Sequence, residues 1–230
     1  MNLFYSNSPL DGDRLILTGQ EARHATRVMR YKTGDYIDVT DGNGIHYKAV
    51  ITELNNQQVF ARIEEETEIP LPYPILTLAL GIIKKRDRLE FAVEKAAELG
   101  VNHIVLYRGV YSEKTGLRPD RLVQVAIRAM KQSLRCHLPS VSVKDSLKGV
   151  LEHSDNPEII VADETAPVSH SDFNISGDHL LLITGPEGGF SENERKLISS
   201  YTHKKISFGG YRLRSETAAM IMVSKFRGLS

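Results

Sequence analysis

The sequence predicts an α/β protein in two parts: a small β-rich domain over residues 1–70, then a domain over 71–230 built on a mainly parallel sheet covered by helices. Three observations carry this reading. An acidic run from Glu64 meets Pro70, Pro72 and Pro74, and proline at every second position blocks both helix and central strand, so 64–74 reads as a connector. Before it, short β-branched and aromatic runs are punctuated by Asp-Gly and Asn-Gly. After it, apolar runs of strand length alternate with helical periods, and no repeat of roughly 20–50 residues is visible to suggest a solenoid.

In the first part, residues 35–39, 46–51 and 58–63 read as strands. Between the first two, Asp41-Gly42-Asn43-Gly44 supplies the positive φ angles of a tight hairpin. A helix over 19–29 interrupts them, with Arg23, Arg27 and Arg30 on one face and His24 beside them. Such a stripe suits phosphate; a solvated face with Glu21 as partner fits the spacing equally well.

In the second part, residues 75–83 form a continuous apolar run, the mark of a strand buried on both faces. Residues 87–99 follow as a helix, with Leu89, Val93 and Ala96 inward, Gly100 as its stop, and Asp87 and Glu90 at capping-box spacing. Then come a strand at 103–107, a helix at 119–134 with proline in its first turn, and strands at 158–162 and 179–184. Ser191-Glu192-Asn193-Glu194 is a capping box opening a helix over 191–200. A strand at 205–208 and a helix at 215–226, with Ser215 as N-cap, complete the chain.

Composition narrows the function classes. Lys plus Arg and Asp plus Glu both number 29, and the 41% hydrophobic content excludes a disordered chain. No apolar run approaches the roughly 20 residues of a bilayer span, and the N-terminus lacks a basic start and a long apolar stretch, so a cytoplasmic protein is expected. Cys136 is the single cysteine, expected as a reduced, partly buried thiol, and no metal site is expected. Neutrality is uneven. Residues 81–139 carry 12 basic and 6 acidic groups and 201–230 carry 6 and 1, around an acidic block over 140–200 with 4 and 11. Local basic patches are what a polyanion reads, so a nucleic-acid partner is compatible with zero total charge.

In an open parallel sheet ligands bind beyond the carboxyl ends of strands, which directs attention to the loops after Thr184 and Phe208. Gly185-Pro186-Glu187-Gly188-Gly189 removes side chains where the backbone must bend or approach a ligand, and Pro186 stiffens the bend. No Lys-Ser/Thr pair follows, so it is not a phosphate loop of the GxxxxGK[ST] type; backbone groups facing an adenine or ribose edge fit better. The second loop, Phe208-Gly209-Gly210-Tyr211-Arg212-Leu213-Arg214, sets two guanidinium groups beside a glycine turn. Glu216 follows in a helical first turn, where a carboxylate is favoured.

Together these segments resemble the RsmE family of SPOUT methyltransferases, whose late motifs read approximately G-P-E-G-G and L-R-[TS]-E-T-A; here they stand as residues 185–189 and 213–218. Residues 86–101 resemble the family's early helix, 131–139 its E-Q-[SC]-x-R-x-x-x-P segment, and 24–30 an H-x-x-x-V-L-R stretch of its N-terminal domain. Lys131 stands where the family commonly has Glu, and Met29 where Leu is common. Tyr211-Arg212 stands where many members have Arg followed by an aliphatic residue, so that arginine is moved by one place.

The resemblance implies an N-terminal PUA-like β-barrel over 1–70 and a SPOUT α/β domain with a deep trefoil knot over 71–230. It implies a homodimer that methylates ring nitrogen N3 of a uridine in small-subunit (16S) ribosomal RNA with S-adenosyl-L-methionine. The cofactor would sit on Ile183, Thr184, Gly185, Glu187, Gly188 and Gly189, with Phe208, Gly209, Leu213 and Arg214 closing the other side. Arg214 would stabilise the developing oxyanion, and Glu216 or Glu187 would take the proton or orient Arg214. RNA, or the 30S subunit, would be held by Arg23, His24, Arg27 and Arg30, by Lys84, Lys85 and Arg86, and by Gln132 and Arg135. Two other readings stand beside it: a methyltransferase of the same fold acting at another RNA position, and a non-catalytic RNA-binding ribosome-assembly protein.

Overall fold

A computed structural model of the chain describes residues 2–7, 12–55, 57–112, 116–152, 157–166 and 177–228. It divides into two compact units, residues 1–71 with 127–138, and residues 72–126 with 139–230. The first unit therefore gathers two separate stretches of chain.

The first unit holds a five-stranded mixed sheet. Its strands are β1 (Leu3–Tyr5), β2 (Arg14–Thr18), β3 (Tyr36–Thr40), β4 (Ile45–Leu54) and β5 (Gln58–Glu68), in the order β1-β3-β4-β5-β2. β1 runs parallel to β3 and the other neighbours are antiparallel. Phe4, Leu15, Leu17, Ile37, Val39 and Ile51 fill its core. β1 and β2 are additional to the sequence reading, although Arg14-Leu-Ile-Leu-Thr18 buries only its second and fourth residues, the alternation of a half-buried strand. β5 runs on through the acidic residues assigned to the connector: Glu65 pairs opposite Lys48 and Glu68 opposite Ile45. An opposite charge across the ladder makes an acidic run tolerable in a strand.

The expected helix over 19–29 is shorter and changes its winding. α1 (Gly19–Arg23) passes into a π-helical turn over His24–Val28, where the Met29 amide donates to His24 O at 3.0 Å. Arg30 then adopts φ 56°, so it lies beyond the helix, and the arginines do not share one helical face. Residues 127–138 close on the same unit. Thr40 Oγ1 donates to Cys136 O at 3.2 Å, the Leu138 amide to Gly42 O at 2.8 Å, and Lys131 forms an ion pair with Glu21. Cys136 is a buried thiol whose pKa burial raises.

The second unit is built on a six-stranded sheet in which every pairing is parallel: β6 (Ile75–Gly81), β7 (His103–Tyr107), β8 (Ser140–Lys144), β9 (Glu158–Ala162), β10 (His179–Thr184) and β11 (His203–Ile206). The order is β11-β9-β10-β6-β7-β8, which puts β6 and β10, the two most apolar runs, at the centre. Its helices are α2 (Arg86–Glu98), α3 (Pro119–Gln132, whose second half belongs to the first unit), α4 (Leu147–Leu151), α5 (Glu192–Ser199) and α6 (Ser215–Arg227). α6 packs against α2, β6 and β10. β8 and α4 were not expected.

Two expected caps differ. α2 begins at Arg86 behind Lys85 with no side-chain cap, because Glu90 is taken by Arg86 at 2.7 Å and by the guanidinium of Arg121. The N-cap of α6 is Arg214 and not Ser215, again without a side-chain cap. The α5 capping box forms as read, with Ser191 Oγ accepting from Glu194 N and Glu194 Oε2 accepting from Ser191 N. Among the described residues no helix is long and apolar enough to cross a membrane, and no group of three His, Cys, Asp or Glu could hold a metal ion.

Candidate active site

Parallel strands all end on one edge, and the loops leaving β6, β9, β10 and β11 meet there. They enclose a cleft of about 730 Å³ lined by residues 162–164 and 166, 184–187, 189–190 and 206–215, together with Arg88, Arg195 and Ala218. Both glycine loops singled out in the sequence are in this wall.

The first loop turns tightly: the Gly189 amide donates to Pro186 O at 2.9 Å and Gly189 has φ 72°, a conformation that glycine adopts without cost. It is seated by glycines on other segments. A Cβ on Gly81, the last residue of β6, would lie 2.6 Å from Pro186 Cδ and 2.8 Å from Gly185 C, and one on Gly109 would lie 2.9 Å from Pro186 Cγ. Pro186 thus wedges over the ends of the two adjoining strands. From below, the Tyr107 hydroxyl donates to Thr184 O at 3.0 Å. Glu194, buried in α5, accepts from Val110 N at 3.0 Å, which ties the loop after β7 to the helix that follows the site loop.

Arg88, on the first turns of α2, is the electrostatic centre. Its Nε and Nη2 donate to the two oxygens of Glu216 at 2.6 Å each, and its Nη1 pairs with Glu187. The arginine therefore braces the first glycine loop to the start of α6. Side-chain exposures of 19% for Arg88 and 8% for Glu216 keep water largely away from that fork. Burial works to raise the Glu216 pKa, but hydrogen bonds from Arg88 and from the backbone, with the charges of Arg88 and Arg214, hold it below the ordinary value. Hydrogen bonding to Glu216 raises the Arg88 pKa.

A second ionic cluster lies at the end of β9. Asp163 is buried, accepts from Thr165 N and Oγ1 at 3.0 and 2.8 Å, and pairs with Arg195 at 2.7 Å and Lys205 at 3.6 Å. Burial opposes its ionisation, yet these partners leave its pKa below the usual carboxylate value. Two hydroxyls of the wall contrast with it. Thr184 Oγ1 and Ser207 Oγ have no hydrogen-bond partner among the described residues, although the residues are 1% and 4% exposed. A buried hydroxyl left unpaired costs about 1–3 kcal/mol, so a wall carrying two of them suits a polar ligand.

Of the residues expected to hold a cofactor, Thr184, Gly185, Glu187, Gly189, Phe208, Gly209, Leu213 and Arg214 line the cleft. Ile183 points into the core between the sheet and its helices, and Gly188 sits against Tyr111, whose Cβ a side chain there would meet at 2.7 Å. Arg214 is exposed and makes no ion pair among the described residues. Arg212 reaches Glu164 at 3.3 Å. Lys84, Lys85 and Arg86 are exposed at the carboxyl end of β6, where the Lys84 amide donates to Glu187 at 3.1 Å. Arg23, His24, Arg27, Arg30 and Gln132 are exposed on the first unit, with Arg135 partly buried there.

Sequence reasoning missed Arg88, Asp163, Arg195 and Ser207. Arg88 reads as one more charge on an amphipathic helix, and the one signal that could have raised it is its place in the first helix turns after a strand end that opens on the site.

A family model of the RNA methyltransferase domain matches residues 70–227, and one of the RNA methyltransferase PUA domain matches residues 17–64. The chain belongs to this RNA methyltransferase family. Among curated relatives, the Ribosomal RNA small subunit methyltransferase E of Rickettsia conorii is 28% identical over 232 residues, covering 98% of this chain and 95% of its own. Among solved structures, a probable rRNA-methyltransferase of Porphyromonas gingivalis is 30% identical with TM-score 0.87, covering 100% of this chain and 98% of its own. A Legionella pneumophila protein described as a methyltransferase, solved in complex with the bound cofactor SAM, is 25% identical with TM-score 0.86, covering 99% and 97%. These findings bear out the RsmE resemblance and the pairing of a PUA-like domain with a parallel α/β domain.

Proposed function

We propose that this protein is an S-adenosyl-L-methionine-dependent methyltransferase acting on ring nitrogen N3 of a uridine in small-subunit ribosomal RNA. The observation that carries the reading is the cleft itself. Two glycine loops meet at the carboxyl edge of the sheet around buried, unpaired hydroxyls, in a chain of the RNA methyltransferase family. Thr184, Gly185, Gly189, Phe208, Gly209 and Leu213 would hold the cofactor, with Ile183 and Gly188 setting the loop from behind. When bound, it supplies an electrophilic methyl group on a positively charged sulfur.

Uracil N3 carries a proton, and its lone pair is delocalised into the flanking carbonyls. Reaction there needs proton loss, with negative charge growing on those oxygens. Arg214, exposed at the start of α6 and making no ion pair among the described residues, is the cation assigned to that charge. Glu187, the more exposed carboxylate at 35% against 8%, is the proton acceptor in this reading. Glu216, with both oxygens on Arg88, is a positioning residue that holds Arg88 against Glu187. Arg23, His24, Arg27, Arg30, Gln132 and Arg135 on one unit, and Lys84, Lys85 and Arg86 on the other, would bind the surrounding RNA. Family membership also supports a trefoil-knotted second domain, a homodimer and a cytoplasmic site of action.

The test is nucleoside mass spectrometry on 30S subunits from cells lacking the gene, incubated with the purified protein and S-adenosylmethionine. N3-methyluridine is the expected product. A different methylated nucleoside would overturn the acceptor, and no methylation by folded, cofactor-binding protein would favour the non-catalytic RNA-binding reading.

A further inference from the structure

The cleft has a rim feature that neither cofactor binding nor the Arg88 brace uses. Tyr211 is 91% exposed, the most open of the large hydrophobic side chains among the described residues, and it stands where the second glycine loop borders the cleft. The turn before it is open: Gly209 has φ 117°, and a Cβ on either Gly209 or Gly210 would meet nothing within 4 Å. A ring with nine-tenths of its surface in water contributes little to the core, so packing does not account for it. Its neighbours are cationic. Arg212 is 71% exposed with one contact to Glu164, and Arg214 has no ion pair among the described residues.

An exposed aromatic face with guanidinium groups one and three residues further along the chain matches single-stranded nucleic acid, in which an unpaired base offers a π-face and its flanking phosphates offer the charge. We propose that Tyr211 is a stacking platform for an unpaired base of single-stranded RNA beside the target nucleotide, with Arg212 on an adjoining phosphate. This rests on the reading above that the substrate is RNA, and it specifies the form of RNA: unstacked at the cleft and not duplex.

The chain contains no tryptophan, so Tyr211→Trp places a single reporter on the platform. Its fluorescence should be quenched by a single-stranded oligoribonucleotide, and little by the same sequence annealed as a duplex or by S-adenosylmethionine alone. Tyr211→Ala should raise the Kd for the single strand, and the KM for the ribosomal substrate, about tenfold, while Tyr211→Phe stays within twofold of wild type and cofactor Kd does not change. Quenching by the cofactor and not by the single strand, or an unchanged KM in Tyr211→Ala, overturns the platform. If wild type forms no N3-methyluridine while the single strand still quenches, the platform stands and the acceptor assignment fails.

Discussion

Replacing Arg88 with methionine keeps much of the side-chain volume but leaves Glu216, 8% exposed, without the guanidinium that engages both its oxygens. Stranding a buried charge costs about 3–5 kcal/mol. Because a fifth of the Arg88 side chain is already in water, solvent would reach part of the gap, and about 2–3 kcal/mol is the expected loss. For a chain of this size that corresponds to a fall in Tm of about 4–12 °C. The unpaired carboxyl would then gain by holding its proton, so the deficit should be larger at pH 8 than near pH 5. Adding Glu216→Gln removes the stranded charge and should recover part of the loss. Thermal unfolding of wild type, Arg88→Met, Glu216→Gln and the double variant at both pH values decides it. A single variant within 1–2 °C of wild type, or a double variant no better than Arg88→Met, would refute the brace.

Gly81→Ala must push Pro186 and the loop backbone away from the end of β6, and a loss of about 1–3 kcal/mol in cofactor affinity, read by calorimetric titration, is expected. Thr184→Val and Ser207→Ala each delete a hydroxyl with no protein partner. Tm in the absence of ligand should hold or rise slightly while cofactor affinity falls severalfold, and a drop in Tm without an affinity change would show the hydroxyls to be structural. Ser191→Ala removes one arm of the α5 capping box and should lower Tm by about 2–4 °C, from a cap worth about 1 kcal/mol. Hydrogen bonding from Arg121 and then Arg86, against burial, lowers the Glu90 pKa from 4.5 to about 2. Since the folded value is depressed, this stability is complete above pH 4.5 and is lost as pH falls toward 2, so acid-unfolding curves of wild type and Glu90→Gln should converge over that window.

What the sequence made legible is what local chemistry determines. The apolar run of β10, the glycine loop after it and the Ser191–Glu194 box each act within a few residues, and each forms as read. What it hid depends on partners far along the chain. Lys131 and Glu21 meet across 110 positions, and Arg88 and Glu216 across 128. Asp87 and Glu90 have the spacing of a cap, yet Glu90 spends its oxygens on Arg86 and Arg121, and no local pattern records that competition. The strand Ser140–Lys144 was missed for a different reason: its alternating Ser and Val lie on a sheet edge that buries neither face fully, so its apolar signal is weak.

The glycines of the motif are therefore only half of the device. Within the loop, Gly189 supplies a left-handed turn, but the loop lies where it does because Gly81 and Gly109, one at the end of β6 and one just after β7, have no side chains to hold Pro186 off. The same arrangement explains why a carboxylate from the loop and one from α6 both reach Arg88: with Pro186 pressed onto the strand ends, Glu187 is carried toward α2 at the point where α6 begins. Arg88, shared by two anions, is then poorly placed to meet a third. In the proposed reaction that leaves Arg214, which makes no ion pair among the described residues, as the cation assigned to the charge that would grow on the substrate.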